Sequence, residues 1–430
     1  MRLSVRQIGP MLRSAAFASL VGVYLGVGVQ FALRLYLARP LGTVHYGDVA
    51  LALAIINVVA HLAMVGFNHA LPRLVGEYQA RGDDGRLYGA VRFAVMLTCG
   101  ASAALAVLGA SLAWGLGHDR PQRVTTLLLA FAVVPLLAML HLMIHVARSF
   151  QRMWLARLPY NVILPTLVLT VVVALAVTDR LTPARVIAAY GLLAMPLILD
   201  VGRRLLRLPP LARARQGRPV HEPRPWMRLA LPNLLFTGCN QLVRRMDLLL
   251  VGLLASDEEL GVYALAFNLM QVVMLATHAA NAYISSSLAS AHAMGDRDRL
   301  RREARATARL ALVMSGSLAL LLVIAGQPIL AFFGEAFVAG YPLLVVLLLG
   351  VVAEACFAPG MNLLQMADRE RQAAAILAGL LVASTIGYIV LLPIHGAMGA
   401  AVVAAVTRLL IGYLSHRACR RNLNCSAAAI

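Results

Sequence analysis

The feature that most constrains this chain is a succession of long apolar runs separated by short polar segments. A helix needs about 20 predominantly apolar residues to cross the hydrocarbon core of a bilayer. About twelve runs are of this order, and they cover residues 14–37, 48–68, 88–114, 124–145, 158–177, 184–201, 229–254, 261–285, 306–326, 341–361, 373–392 and 398–416. The runs are too long for the strands of a membrane barrel and do not alternate as such strands do. The sequence therefore predicts an all-α integral membrane protein with about twelve transmembrane helices.

The composition excludes several other classes of protein. Apolar residues make up 60% of the chain and charged residues 13%, against averages of about 45–50% and about 25% in soluble domains. Such a chain is not an ordinary soluble enzyme, a disordered protein or a secreted disulfide scaffold. The net charge of +19 comes from arginine without any lysine, and in a membrane protein basic residues collect in cytoplasmic loops. We therefore expect contact with membrane lipids and no nucleic-acid partner.

The distribution of arginine over the loops predicts the orientation in the membrane. If the N-terminus is cytoplasmic, the inner segments contain 28 arginines and the outer loops contain five. Because arginine accumulates on the cytoplasmic side, we expect both termini to be cytoplasmic. The first apolar run is longer than the roughly 7–15 residues of a signal-peptide core, so we expect it to be the first helix of the bundle.

An arginine- and proline-rich segment at residues 202–228 lies at the midpoint of the chain. We interpret this segment as a basic cytoplasmic linker whose arginines meet anionic lipid headgroups. It divides the chain into two predicted lobes of six helices each. The N-terminal lobe covers residues 1–201, and the C-terminal lobe, with a short cytoplasmic tail, covers residues 229–430.

Short matches between the two halves indicate an internal repeat. Three pairs of segments match in the same order: Gln30–Arg34 with Gln241–Arg245, Tyr46–Gly47 with Gly261–Tyr263, and 81–87 with 294–300. The first pair is offset by 211 residues and the last by 213 residues. Because each half holds an even number of helices, both halves have the same orientation and the repeat is parallel. Transporters built in this way bind their substrate near the membrane midplane and work by alternating access.

Ionisable residues inside the predicted spans form the candidate site, because such residues are costly in a membrane and usually face a cavity or a partner. Arg244, Arg245 and Asp247 lie deep in the seventh run. They form either an Arg–Asp pair that holds the bundle together or an anion-binding site, since arginine binds phosphate oxygens bidentately. Arg34 either snorkels to the outer interface or, as the repeat partner of Arg245, faces the cavity. Glu354 either pairs with an arginine or binds a coupling ion, a proton or sodium.

The sequence contains no constellation for catalysis or for a cofactor. Walker, HExxH and GxSxG motifs are absent, and the five cysteines form no CxxC pair. Four histidines, at His61, His69, His141 and His145, are scattered along the sequence. His141 and His145 have the i, i+4 spacing of metal ligands, but no third ligand is near them in the sequence. We expect a protein that is not an enzyme and that holds neither a metal nor a cofactor.

Several segments resemble a known family of exporters. They are LARPLGTVHYGDVALALAI at 37–55, GFNHALPRLVGEYQARGDDGRL at 66–87, ALPNLLFTGCNQLVRRMDLLLVGLLASDEELGVYALA at 230–266, FFGEAFVAGYPLL at 332–344 and LPIHGAMGAAVVAAVTRL at 392–409. The chain is similar to the polysaccharide exporters, which are the O-antigen and lipid-linked oligosaccharide flippases of the multidrug/oligosaccharidyl-lipid/polysaccharide exporter superfamily. The resemblance extends over residues 10–416.

The resemblance implies a V-shaped bundle of two six-helix lobes in the bacterial inner membrane. It implies that the protein flips an undecaprenyl-diphosphate-linked oligosaccharide from the cytoplasmic to the periplasmic leaflet, for polysaccharide or O-antigen biosynthesis with other glycan-assembly proteins. In this family, cationic residues of the cavity meet the diphosphate, and Arg34, Arg244 and Arg245 are the positions that fit. Asp247 matches an Asp that is usual in the family. The number of spans disfavours the lipid II flippase pattern, which has two additional helices.

Three alternatives remain open at this point. A multidrug/cation antiporter of the same superfamily should prefer acidic cavity residues, whereas the charge excess inside these spans is arginine. A polytopic glycan polymerase or ligase carries a long periplasmic loop, whereas the predicted outer loops have about 15 residues or fewer. A scaffold for a glycan-assembly complex has no need of buried charges such as Arg244 and Glu354.

Overall fold

The structure is a computed structural model, and it describes residues 5–116, 120–217, 219–293, 297–367 and 369–423. The regular secondary structure of these residues is entirely helical. The α-helices are Val5–Ala63 (α1), Phe67–Arg81 (α2), Asp84–Leu116 (α3), Pro121–Ser149 (α4), Met153–Leu158 (α5), Leu164–Val177 (α6), Pro183–Leu206 (α7), Pro209–Gln216 (α8), Pro223–Val243 (α9), Met246–Leu254 (α10), Asp257–Ala293 (α11), Arg297–Phe333 (α12), Tyr341–Ala355 (α13), Gly360–Met366 (α14) and Glu370–Leu423 (α15). A π-helical turn at Pro159–Ile163 joins α5 to α6, and a 3-10 helix at Glu335–Gly340 precedes α13.

The helices of the described residues account for twelve membrane passes. Nine helical segments of this part of the chain are long and apolar enough to cross a membrane. The segments in α1 and α15 each contain two passes, because Gly42 and Gly396 leave the helical conformation at φ of 67° and 56°, which glycine adopts without a steric cost. The remaining predicted span, residues 229–254, corresponds to α9 and α10, which are separated by Arg244 and Arg245, and we treat these two helices as one pass. The predicted fold class, an all-α membrane protein of about twelve helices, is confirmed.

Packing divides the chain into two compact units. The first unit consists of residues 1–40 and 55–237, and the second unit consists of residues 41–54 and 238–430. The beginning of the second pass of α1 therefore belongs to the second unit, and α9 is divided between the two units. The division at residues 201 and 229 that we predicted from the sequence follows the repeat and not the packing, and it stays a prediction.

The predicted linker at residues 202–228 is folded onto the first unit. Its helix α8 packs against α3, and Trp226 at its end is fully buried. The Trp226 indole donates a hydrogen bond to the Tyr78 hydroxyl over 2.9 Å. Arg86 of α3 forms an ion pair of 2.9 Å with Glu222 of the linker. These contacts could not be predicted from the arginine-rich composition of the segment. A single buried tryptophan can hold a polar segment against a helix bundle, and composition does not show which tryptophan is buried.

In the second unit, the beginning of the second pass of α1 crosses α11 at a glycine on each helix. Gly47 and Gly261 face each other so closely that a Cβ atom on Gly47 would lie 2.9 Å from the Gly261 nitrogen. Beside this crossing, the Asn268 amide donates a hydrogen bond of 2.8 Å to the Tyr46 hydroxyl, and the Tyr46 ring meets Phe337 edge to face. Small residues allow two helix backbones to approach in this way. One pair of segments that indicated the repeat therefore meets at this crossing.

Replacing Gly261 with Ala is expected to lower the stability of the protein by about 1–3 kcal/mol. The added Cβ would lie 1.9 Å from the carbonyl oxygen of Thr43, and backbone cannot move aside as a side-chain tip can. The matched control is Gly316→Ala in α12, where a Cβ meets nothing within 4 Å. Thermal unfolding of the purified protein in detergent measures both variants. Equal melting temperatures for the two variants would contradict the close crossing.

Candidate functional site

The pass formed by α9 and α10 is interrupted at two adjacent arginines. The Arg245 amide bonds to the Leu242 carbonyl over 3.0 Å, a tight i to i−3 turn that ends the regular α-helix. The helix resumes at Met246, and Asp247 lies in its first turn. A carboxylate is stabilised there because the N-terminal end of a helix carries partial positive charge. The break in the second unit therefore holds two cations, Arg244 and Arg245, and one anion, Asp247, within four residues of the chain.

Asp247 is held by two hydrogen bonds. Its side chain is 2% exposed, and its Oδ2 atom accepts a hydrogen bond of 2.9 Å from the hydroxyl of the fully buried Tyr263. Its Oδ1 atom accepts a hydrogen bond of 2.8 Å from the Leu248 amide. Arg408 and Arg245 are within electrostatic reach of this carboxylate. Asp247 is thus a fixed counter-charge for the arginines around it.

Arg408 is the most buried cation of this group, at 6% exposure. It forms an ion pair of 3.2 Å with Glu354, and the same guanidinium nitrogen lies 3.1 Å from the sulfur of Met274. Arg408 is not among the site residues predicted from the sequence, although it interrupts the last apolar run as plainly as Glu354 interrupts an earlier one. The pairing joins residues 54 positions apart, and spacing in the sequence does not predict such a contact.

Arg244 faces a narrow crevice in the second unit. Its Nε atom donates a hydrogen bond of 3.1 Å to the Asn240 amide oxygen, and Glu354 and Arg408 are within its electrostatic reach. The crevice is lined by Val243, Arg244, Asp247, Tyr388, Ala404, Thr407, Arg408 and Ile411. Its volume is about 10 Å³, close to the space that one water molecule occupies. In this arrangement the crevice is too small for a diphosphate.

The two other predicted cations lie in different surroundings. The Arg245 guanidinium stands 5.4 Å from the centre of the Phe267 ring, a cation–π distance, and Arg245 does not line the crevice. Arg34 belongs to the first unit, where it is half-buried and interacts electrostatically with Tyr190. The helix is unbroken at Arg34, unlike at its repeat partner Arg245. The structure therefore brings Arg244, Asp247 and Glu354 together around Arg408, while a shared cavity that includes Arg34 stays a prediction.

Comparisons with known proteins identify both the fold and the family. Among solved structures, the chain is similar to an inward-facing multidrug resistance MATE family transporter of the MOP superfamily, with a TM-score of 0.79 and 11% identity, over 94% of this chain and 98% of that one. It is similar to the lipid II flippase MurJ in an inward closed conformation, with a TM-score of 0.74 and 12% identity, over 94% of this chain and 87% of that one.

A third similar structure is a MOP superfamily transporter from Pyrococcus furiosus, which is described as having a binding pocket of reverse polarity. Its TM-score is 0.61 and its identity is 11%, over 94% of this chain and 95% of that one. At these identities the likeness shows the fold alone.

No curated protein matches the sequence. Residues 36–342 match the family model described as polysaccharide biosynthesis protein. Because this match spans more than half of the chain, the protein belongs to the polysaccharide biosynthesis protein family and has the fold of the MOP superfamily transporters.

Proposed function

We propose that this protein flips an undecaprenyl-diphosphate-linked oligosaccharide from the cytoplasmic to the periplasmic leaflet of the bacterial inner membrane by alternating access. The glycan serves polysaccharide or O-antigen biosynthesis, both termini are cytoplasmic, and other glycan-assembly proteins act before and after it. The observation that carries the proposal is the arginine cluster at the helix break of the second unit, with Arg244 and Arg408 facing one crevice. Membership of the polysaccharide biosynthesis family supports the class of substrate.

The chemistry of the cluster suits an anionic headgroup. A diphosphate that enters hydrocarbon without partners has a large desolvation cost, and guanidinium groups offset that cost because their planar forks bind phosphate oxygens in pairs. Arg244, Arg245 and Arg408 carry three positive charges against the two negative charges of Asp247 and Glu354. The cluster therefore keeps a net positive charge before substrate arrives.

The narrowness of the crevice indicates how the substrate would be admitted. A diphosphate enters only after the helix break widens, and its oxygens then replace the Glu354 carboxylate as partners of Arg408. Exchange of one anion for another keeps Arg408 paired throughout, which avoids an unpaired buried charge. Asp247 remains bonded to Tyr263 and fixes the arginines during the exchange. Arg34 is proposed as an additional contact for the anionic part of the substrate.

The multidrug/cation antiporter is the second candidate, since a MATE transporter is among the structures with this fold. A site for a cationic compound needs a carboxylate that is free to pair with it. Here Asp247 accepts hydrogen bonds on both oxygens, and Glu354 is paired with Arg408. The charges of this cluster therefore favour an anionic substrate over a cationic one.

Complementation of a host that lacks its own O-antigen flippase tests the proposal. The wild type is expected to restore surface glycan on the lipopolysaccharide core. Arg244→Ala is expected to reduce it about 10- to 100-fold, because it loses a charge-assisted hydrogen bond worth about 1.5–3 kcal/mol. Arg245→Ala is expected to reduce it as well, because the cluster loses one of its three positive charges. Arg34→Ala is expected to cause a smaller loss.

The matched control is Arg305→Ala, which removes an exposed arginine of α12 and should restore glycan as the wild type does. All variants are compared at equal amounts of protein in the membrane. Full restoration by every arginine variant would show that these arginines do not bind the substrate, even if the protein is a flippase.

A further inference from the structure

Four histidines of the first unit, which are scattered in the sequence, lie close together in the structure. His61 is on the second pass of α1, His69 is on α2, and His141 and His145 are on α4. The ring centres of His61 and His141 are 4.8 Å apart. His141 also contacts the Tyr160 ring, with centres 4.4 Å apart. We call these four histidines the histidine cluster.

Two histidines of the cluster, His141 and His145, have a buried ring nitrogen that can take up a proton. The Nδ1 atom of His61 lies 2.7 Å from the Asn57 carbonyl oxygen. A carbonyl only accepts, so Nδ1 carries the hydrogen, and Nε2 holds the lone pair in the neutral ring. His141 is 6% exposed, and in the described structure its Nδ1 atom and that of His145 are buried without a hydrogen-bond partner. Buried polar atoms of this kind are rare and call for a functional explanation.

The charged or titratable groups that interact electrostatically with His141 and His145 are an arginine and other histidines. His61 and His145 interact electrostatically with His141. Arg148, His61 and His69 interact electrostatically with His145. Arg157 of α5 interacts electrostatically with Arg148. The ring of Tyr160, in the π-helical turn, contacts the ring of His141. The described side chains of α3, which also packs on α4, contribute none of the groups that act on His141 or His145.

A metal is the first alternative occupant of such a cluster. Among the described residues, no group of three or more His, Cys, Asp or Glu side chains is arranged to hold a metal ion. Protons need no such convergence, because a single ring nitrogen binds one. The geometry therefore favours a proton over a metal.

The cluster borders a π-helical turn, which Tyr160 joins to His141. Tyr160 lies on the π-helical turn Pro159–Ile163, and π-helical turns inside α-helices are frequent at functional sites. Tyr160 also interacts electrostatically with Tyr190, which interacts with Arg34. Tyr160 and Arg34 are thus both within electrostatic reach of Tyr190, in the unit that contains the histidine cluster.

We propose that the histidine cluster, centred on His61 and His141, is the proton-binding site that couples proton entry to the conformational change of transport. This inference rests on the proposed flippase function and selects the proton as its coupling ion. A proton from water binds an imidazole nitrogen and adds positive charge among buried histidines and Arg148. Burying that charge costs free energy, so protonation favours an arrangement of the first unit in which water reaches the cluster.

Hydrogen exchange of the full-length protein in lipid nanodiscs, without substrate, tests the site. Lowering the pH from about 7.5 to about 5.5 should accelerate exchange of residues 141–163, after correction for intrinsic rates, by up to about tenfold per pH unit for each proton taken up. His141→Gln and His61→Gln should each remove most of this acceleration. His221→Gln, at an exposed position of the linker, should keep it.

The outcomes separate this inference from the proposed function. A wild type whose exchange does not change with pH overturns the proton site, as does a response that survives in both histidine variants. Two histidine variants are used in case one of them fails to fold. Each variant is first checked by gel filtration for a single species. A wild type that responds to pH but does not flip a glycan lipid supports the site and overturns only the proposed substrate.

Discussion

Replacing Arg408 with Met is expected to destabilise the second unit by about 3–5 kcal/mol, because it leaves a carboxylate in a mostly buried place without its partner. Glu354 pairs with Arg408 over 3.2 Å, and the two side chains are 18% and 8% exposed. Solvent therefore screens the pair weakly, and the free carboxylate keeps most of its desolvation cost. Thermal unfolding in detergent measures the loss, with Arg305→Met as the control at an exposed arginine.

The double variant Arg408→Met with Glu354→Leu separates stability from function. Replacing both members of a buried pair by apolar residues is often neutral or stabilising, so the double variant should unfold near the wild-type temperature. It should nevertheless fail in complementation, because the substrate has lost one of its arginines. A double variant as unstable as Arg408→Met alone would contradict the role of Glu354 as the partner of Arg408.

The membrane passes could be predicted from the sequence, because hydropathy and run length are local properties. The conformation of the chain between the spans could not be predicted in the same way. The predicted spans 14–37 and 48–68 lie on the two sides of a kink in α1 at Gly42. The positive φ of 67° at Gly42 depends on the backbone conformation, which hydropathy does not report.

The candidate site could be predicted only in part. Arg244, Asp247 and Glu354 stood out because each interrupts an apolar run. Arg408 interrupts one too, but its importance lies in contacts with Glu354 and Met274 that depend on tertiary packing. The approach of His61 to His141 depends on packing in the same way.

The sequence match of residues 294–300 to an earlier loop lies partly outside the described residues, which begin again at residue 297.

Reversing the charge at Arg244 is expected to slow translocation of a glycan lipid by more than about 100-fold. Arg244→Glu removes a charge-assisted hydrogen bond worth about 1.5–3 kcal/mol and places a second anion beside Asp247, which repels the diphosphate. Arg244→Lys keeps the charge but loses the planar fork that binds two oxygens, and a loss of about tenfold is expected for it. Arg305→Glu, at an exposed position, is the control and should transport as the wild type does.

Both variants can be compared with the wild type in a direct assay of the proposed function, which is translocation by the purified protein in proteoliposomes. The substrates are a labelled polyprenyl-diphosphate oligosaccharide and, for comparison, a cationic dye. We expect the wild type to move the glycan lipid between leaflets faster than empty liposomes do, and we expect it not to move the dye. Transport of the dye without the glycan lipid would contradict the proposed function and would make the protein a cation exporter.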